Sequence, residues 1–141
     1  MLELIGLTLS LARTLLLNLQ MILKVEETLS MDALEFLKTM QSERFDGALF
    51  DPPYSMRQAT ECYKSYGKEK QKISVTSMLY WKKCKDEISR VIRPGGICIC
   101  CGWNSMGLGK NREFEMIEIL LVPHGGSRND TIVTVEKKHE D

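Results

Sequence analysis

Asp46-Gly47-Ala48-Leu49-Phe50-Asp51-Pro52-Pro53-Tyr54 is the stretch on which the fold turns. Residues 46–50 form a short apolar run that reads as a buried strand. The two prolines must end it, because each lacks a ladder N–H and holds φ near its ring-imposed value. An acidic and an aromatic side chain therefore stand together just past the carboxyl end of a strand. In open α/β sheets, ligands bind beyond those ends.

Upstream, Asp32-Ala-Leu-Glu35 has the form of a capping box, and Leu34, Leu37 and Met40 follow at helical spacing, so 32–41 reads as a helix. Val25–Ser30 reads as a short strand and Ser42–Arg44 as a turn. Residues 1–24 are set apart as a leucine-rich helical segment. Ten of the first 23 residues are leucine, and Arg13 divides them into uncharged runs of nine and ten. Each run is too short for a membrane span, which needs ~20 apolar residues. The start also lacks the basic residues of a secretory signal.

Downstream, residues 55–75 are polar and read as an irregular loop with a helical turn. Thr76–Arg93 reads as a helix, stopped by Arg93-Pro94-Gly95-Gly96. A second buried strand is expected at 97–103, then a glycine-rich loop at Gly102–Lys110. Phe114–Val122 and Thr131–Glu136 read as two more strands. Strand, helix, strand and a closing strand pair point to a three-layer α/β unit around a partly parallel sheet.

Composition is that of a globular chain: 141 residues, 43% hydrophobic and 27% charged. A disordered chain and a disulfide scaffold are excluded. The net charge of zero hides an asymmetry. Residues 57–112 carry twelve Lys/Arg against four Asp/Glu, while both flanks are acidic. A basic middle is compatible with a polyanion partner or with a solvated charged face. The five cysteines, at 62, 84, 98, 100 and 101, show no metal-ligand spacing. Three lie in one apolar run, as reduced thiols filling a strand, so no metal and an intracellular, cytoplasmic setting are expected.

With its flanks, the motif resembles the S-adenosylmethionine-dependent DNA amino-methyltransferase family, whose members act on adenine N6 or cytosine N4. The family motif, [DNS]PP[YFW] after a strand, is met by Asp51-Pro52-Pro53-Tyr54. Asp32-Ala-Leu-Glu-Phe-Leu, Phe45-Asp46-Gly47, Lys85-Asp86-Glu87-Ile88 and Arg90-Val91-Ile92-Arg93-Pro94-Gly95-Gly96 fall where such enzymes carry similar segments. The likeness covers roughly residues 30–137. It implies a partial Rossmann-like methyltransferase sheet and a catalytic domain over 25–141. It also implies S-adenosylmethionine as cofactor and DNA as partner, with methyl transfer to the exocyclic amine of a flipped base, adenine N6 first.

Such an amine is a poor nucleophile because its lone pair is delocalised into the ring. Acceptors that hold both amino hydrogens favour a pyramidal nitrogen. The resemblance gives this role to the Asp51 carboxylate and the Pro52 carbonyl, with Pro53 holding the turn rigid and Tyr54 stacking on the base. It puts Asp32, Phe50 and Asp51 at the cofactor, although Asp32 is equally explained as a helix cap. Arg57, Lys64, Tyr66, Lys68, Lys70 and Asn104 are candidates for nucleic-acid contact. Gly107-x-Gly109-Lys110 has the look of a weak anion nest, and Leu108 stands where a P-loop needs lysine.

The family also carries a glycine-rich loop for the amino-acid end of the cofactor, of the FxGxG or DPFxGSG kind, and neither form is present. Three expectations stay open: a fragment, a remnant whose start is out of frame, or one half of an assembly in which a homodimer mate or a partner chain supplies the cofactor half. Two further readings stand beside DNA methylation: a non-catalytic methyltransferase-like module binding nucleic acid or a partner, and a methyltransferase acting on RNA guanine N2 or a protein amide.

Overall fold

Residues 32–65, 76–126 and 129–140 are described by a computed structural model. The leucine-rich segment and the expected strand at Val25–Ser30 lie outside the described residues. Asp32 opens the first helix, α1 (Ala33–Thr39), its carboxylate accepting from the N–H groups of Leu34 and Glu35. The expected capping box is half made, since Glu35 turns to Lys38 instead (2.8 Å). At the other end, Arg90 donates to the carbonyls of Leu37 and Met40, 2.9 Å each, satisfying groups that a short helix leaves open.

Strand β1 (Phe45–Phe50) follows. Residues 55–65 depart from the expected irregular loop with a helical turn, because α2 (Met56–Ser65) is a ten-residue helix; the rest of the expected loop, 66–75, lies outside the described residues. The Ser55 hydroxyl starts it by accepting from the Gln58 N–H (3.2 Å), and Arg57 pairs with Glu61 one turn on. Helix α3 (Met78–Val91) is capped by Ser77, and β2 (Ile92–Gly102) begins at the next residue. The helix therefore ends before Arg93, and the strand starts earlier than its apolar run. Gly96 allows this abrupt exchange: a Cβ there would lie 2.5 Å from an Ile92 methyl and 2.9 Å from the Asp46 carbonyl. After a 3₁₀ turn at Lys110–Arg112, β3 (Phe114–Val122) and β4 (Thr131–Lys138) complete the sheet, β4 running two residues past its expected end.

The sheet order is β1-β2-β4-β3. The first pair is parallel and the other two are antiparallel. This is the expected α/β sheet with its closing antiparallel pair. Alternation and register put Ala48, Phe50, Cys98, Cys100 and Glu136 on one face. Ile88 of α3 and Leu37 of α1 pack there with Ile92, Leu108 and Phe114. Full burial of Ile92 or Phe114 is worth ~1.5–3 kcal/mol each. The opposite face carries Leu49, Ile99, Val133 and Leu120, the apolar side that a third layer covers in such architectures. No helix among the described residues is long and apolar enough to cross a membrane.

Candidate active site

Because β1 and β2 are parallel and Phe50 pairs with Cys100, the chain leaves both strands side by side. Asp51–Tyr54 follows β1, and Trp103 and Asn104 follow β2. Asp51 is exposed, and its carboxylate accepts a hydrogen bond from the Tyr54 hydroxyl. That bond occupies one carboxylate oxygen, and the other retains its full acceptor capacity. The Tyr54 backbone N–H donates to the Gln58 side chain (2.9 Å), which locks the turn to the start of α2. Burial raises the Tyr54 hydroxyl above the ordinary tyrosine range, and Asp51 raises it further, so it remains a donor at neutral pH.

The Tyr54 ring lies against Trp103, with centroids 5.5 Å apart and planes tilted by 48°. Behind this pair is a cleft of about 250 Å³ lined by Phe50, Pro52, Trp81, Lys85 and Asn104. The Lys85 ammonium sits 5.8 Å from the centre of the Phe50 ring. A second, more open cleft of about 400 Å³ lies on the other side of the motif, lined by Asp51, Pro53, Gln58, Glu61 and Thr131. Pro52, Tyr54 and Cys101 border both clefts. Burial and the nearby Asp51 charge push the Cys101 thiol up to about 11, so it is a neutral wall at physiological pH rather than a nucleophile. No group of three or more His, Cys, Asp or Glu residues among the described residues is arranged to hold a metal.

Asp51, Pro52, Pro53 and Tyr54 thus come together at the second cleft, and Pro52 and Tyr54 also border the first, which Phe50 and Asn104 line. Asp32 does not join them. Its carboxylate caps α1 and accepts from the Tyr80 hydroxyl (2.8 Å), and it borders neither cleft. Arg57 is exposed on α2 and paired with Glu61. Lys64 belongs to the same helix, while Tyr66, Lys68 and Lys70 lie outside the described residues. The Asn104 side-chain oxygen accepts from the Met106 N–H (3.0 Å), closing a local turn. Sequence reasoning missed Trp81 and Lys85, which reach the cleft from α3, and Gln58 and Glu61 from α2. The Ser55-x-x-Gln58 spacing is the one local signal that pointed to that last helix.

The sheet has the fold of solved S-adenosylmethionine-dependent methyltransferases. Among solved structures, the chain is similar to a protein of Thermus thermophilus assigned as a DNA modification methylase, solved with S-adenosyl-L-methionine. That match has TM-score 0.51 and 12% identity and covers 78% of this chain and 52% of the other. A 1,6-didemethyltoxoflavin-N1-methyltransferase of Burkholderia thailandensis with bound S-adenosylhomocysteine gives TM-score 0.54 at 14% identity, covering 79% and 50%. A SAM-dependent methyltransferase of Methanosarcina mazei gives 0.51 at 13%, covering 79% and 66%. At these identities the likeness is one of fold. The chain spans about half the length of the first two structures. No family model and no curated protein matches it.

Proposed function

We propose that this chain is the catalytic part of a DNA amino-methyltransferase, moving a methyl group from S-adenosylmethionine to the exocyclic amine of a flipped base, adenine N6 first. One observation carries the reading: the exposed Asp51 carboxylate, the prolines and the Tyr54 ring stand together at the carboxyl end of β1, beside the aromatic-walled cleft. The cleft suits a planar heterocycle, with Phe50, Trp81 and Trp103 offering ring faces and edges. When bound, S-adenosylmethionine supplies an electrophilic methyl carried on a sulfonium.

The chain's own groups do the rest. Asp51 accepts one amino hydrogen and the Pro52 carbonyl the other, which returns the lone pair to the nitrogen. Tyr54 donates to Asp51, keeps the carboxylate from turning away, and presents its ring to the base. The freed lone pair would take the methyl that bound S-adenosylmethionine supplies, leaving a neutral thioether, and the proton that the nitrogen sheds would pass to water. Positioning supplies much of the acceleration. Arg57, Lys64, Tyr66, Lys68, Lys70 and Asn104 are proposed to meet the nucleic acid, Phe50 and Asp51 the cofactor, and Asp32 to serve as the cap of α1. The proposed setting is the cytoplasm.

A second reading rests on the sequence, which carries neither the FxGxG nor the DPFxGSG form: a partner chain or second copy completes the cofactor site. Calorimetry with S-adenosylmethionine separates the two: saturable binding by the chain alone supports the first, and binding only after a partner is added supports the second. Labelled methyl incorporation into DNA, RNA and protein offered together tests the acceptor, with DNA expected to take the label.

A further inference from the structure

Glu136 is a carboxylate in the wrong place for an ordinary strand residue. It is 1% exposed and lies on the face of β4 that shares its side with Cys98 and the core. A buried carboxylate is costly unless it is hydrogen-bonded. Here its two oxygens accept from consecutive main-chain N–H groups, Leu108 on one and Gly109 on the other (2.9 Å). The loop makes that possible by bending around the anion. Gly107 and Gly109 have φ of +50° and +84°. A Cβ on Gly107 would lie 2.1 Å from a Glu136 oxygen. The Gly107-x-Gly109 segment is therefore a real anion nest, and its anion is the chain's own. Lys85 donates to the Gly107 carbonyl, and Arg112 to that of Leu108 (2.8 Å). Three charged side chains from β4, α3 and the 3₁₀ turn thus hold three consecutive residues of one loop.

That loop begins with Trp103 and Asn104, and Gly107 itself borders the cleft. Trp103 is about half exposed and leans on Tyr54. We infer that Glu136 is a positioning residue: by filling the nest it sets the loop that places Trp103 against Tyr54, and so fixes the rim of the cleft. This rests on the proposed function only for what the cleft binds, because the rim can be read without a ligand.

The test uses the full chain with Trp81→Phe, leaving Trp103 as the single tryptophan. Emission and acrylamide quenching are measured well below the melting temperature. Glu136→Gln replaces one acceptor with an NH₂ that faces an N–H, and should raise the Trp103 quenching constant at least twofold. Glu136→Ala should do the same, and sodium formate, but not sodium chloride, should reverse it by refilling the nest. Gly107→Ala, with the carboxylate intact, should match Glu136→Gln if an alanine variant fails to fold. Trp103 quenching unchanged in Glu136→Gln and Gly107→Ala, with only the melting temperature lowered, overturns the inference. So does an alanine variant that folds, shows raised quenching and is indifferent to formate. Binding of S-adenosylhomocysteine is followed separately, in the unsubstituted chain with both tryptophans. A parent chain that fails to bind it counts against the proposed function and leaves the quenching result to stand by itself.

Discussion

Tyr54 serves Asp51 twice. Its hydroxyl holds the carboxylate, and its ring, braced by Trp103, closes one side of the space that the carboxylate faces. Phenylalanine in its place keeps the ring and loses the tether, so the Tyr54→Phe variant should reduce kcat more than it raises KM for DNA. The charge of Asp51 is also felt by Cys101, whose thiol stands near 11 against an ordinary 9.0. At pH 8 that leaves about a hundredfold less thiolate than in an unperturbed cysteine. Removing a negative neighbour lowers a thiol pKa. Asp51→Asn should therefore speed alkylation of Cys101 at pH 8, read by mass spectrometry of the labelled peptide; an unchanged rate would mean that the two groups do not sense each other. Asp32 gives the opposite kind of prediction. As a cap it should cost about 1 kcal/mol when replaced by alanine, seen in thermal melts, with no change in affinity for S-adenosylhomocysteine.

At the scale of elements, the connections between helix ends and neighbouring side chains hold the layers together. Arg90 ties the last turn of α1 to α3 through two carbonyls. Arg90→Met should cost about 1–3 kcal/mol and release the amides of α1 to hydrogen exchange before those of α3. The strands β1 and β3 were legible because each is short, mostly apolar and has a clear stop: Pro52-Pro53 for one, Pro123 for the other. Helix α2 was not, because its composition is polar and Ala59 is its one clearly buried described residue. The end of α3 was hidden because Ile92 continues its apolar spacing into the strand. Strand β4 misleads in a different way. Its valines, Val133 and Val135, mark one face, yet Thr134, Glu136 and Lys138 are the residues buried on the other. Lys138 is accommodated there by donating to the carbonyls of Ser89 and Ile92, 2.9 Å each. A local pattern cannot reveal partners that lie more than forty residues away.

For the whole molecule, the motif was readable in four residues, but the cleft was not, since it is assembled from β1, α3 and the loop after β2. Both tryptophans of the chain border that cleft. Ligand entry should therefore alter the entire tryptophan emission of the protein, and saturable quenching by S-adenosylhomocysteine would locate its site there. The sheet carries that cleft at its carboxyl edge, and the matched part of this chain covers about half of two solved methyltransferases of the same fold. The central claim is that Asp51 holds the accepting amine. It is tested most directly by labelled methyl transfer from S-adenosylmethionine to DNA, comparing the chain with its Asp51→Asn variant and digesting the DNA to nucleosides. The expected result is label in N6-methyladenine with the parent chain and a loss of roughly a hundredfold or more in the variant. Equal labelling by the two, or no label in any exocyclic amine with the parent chain, would contradict it.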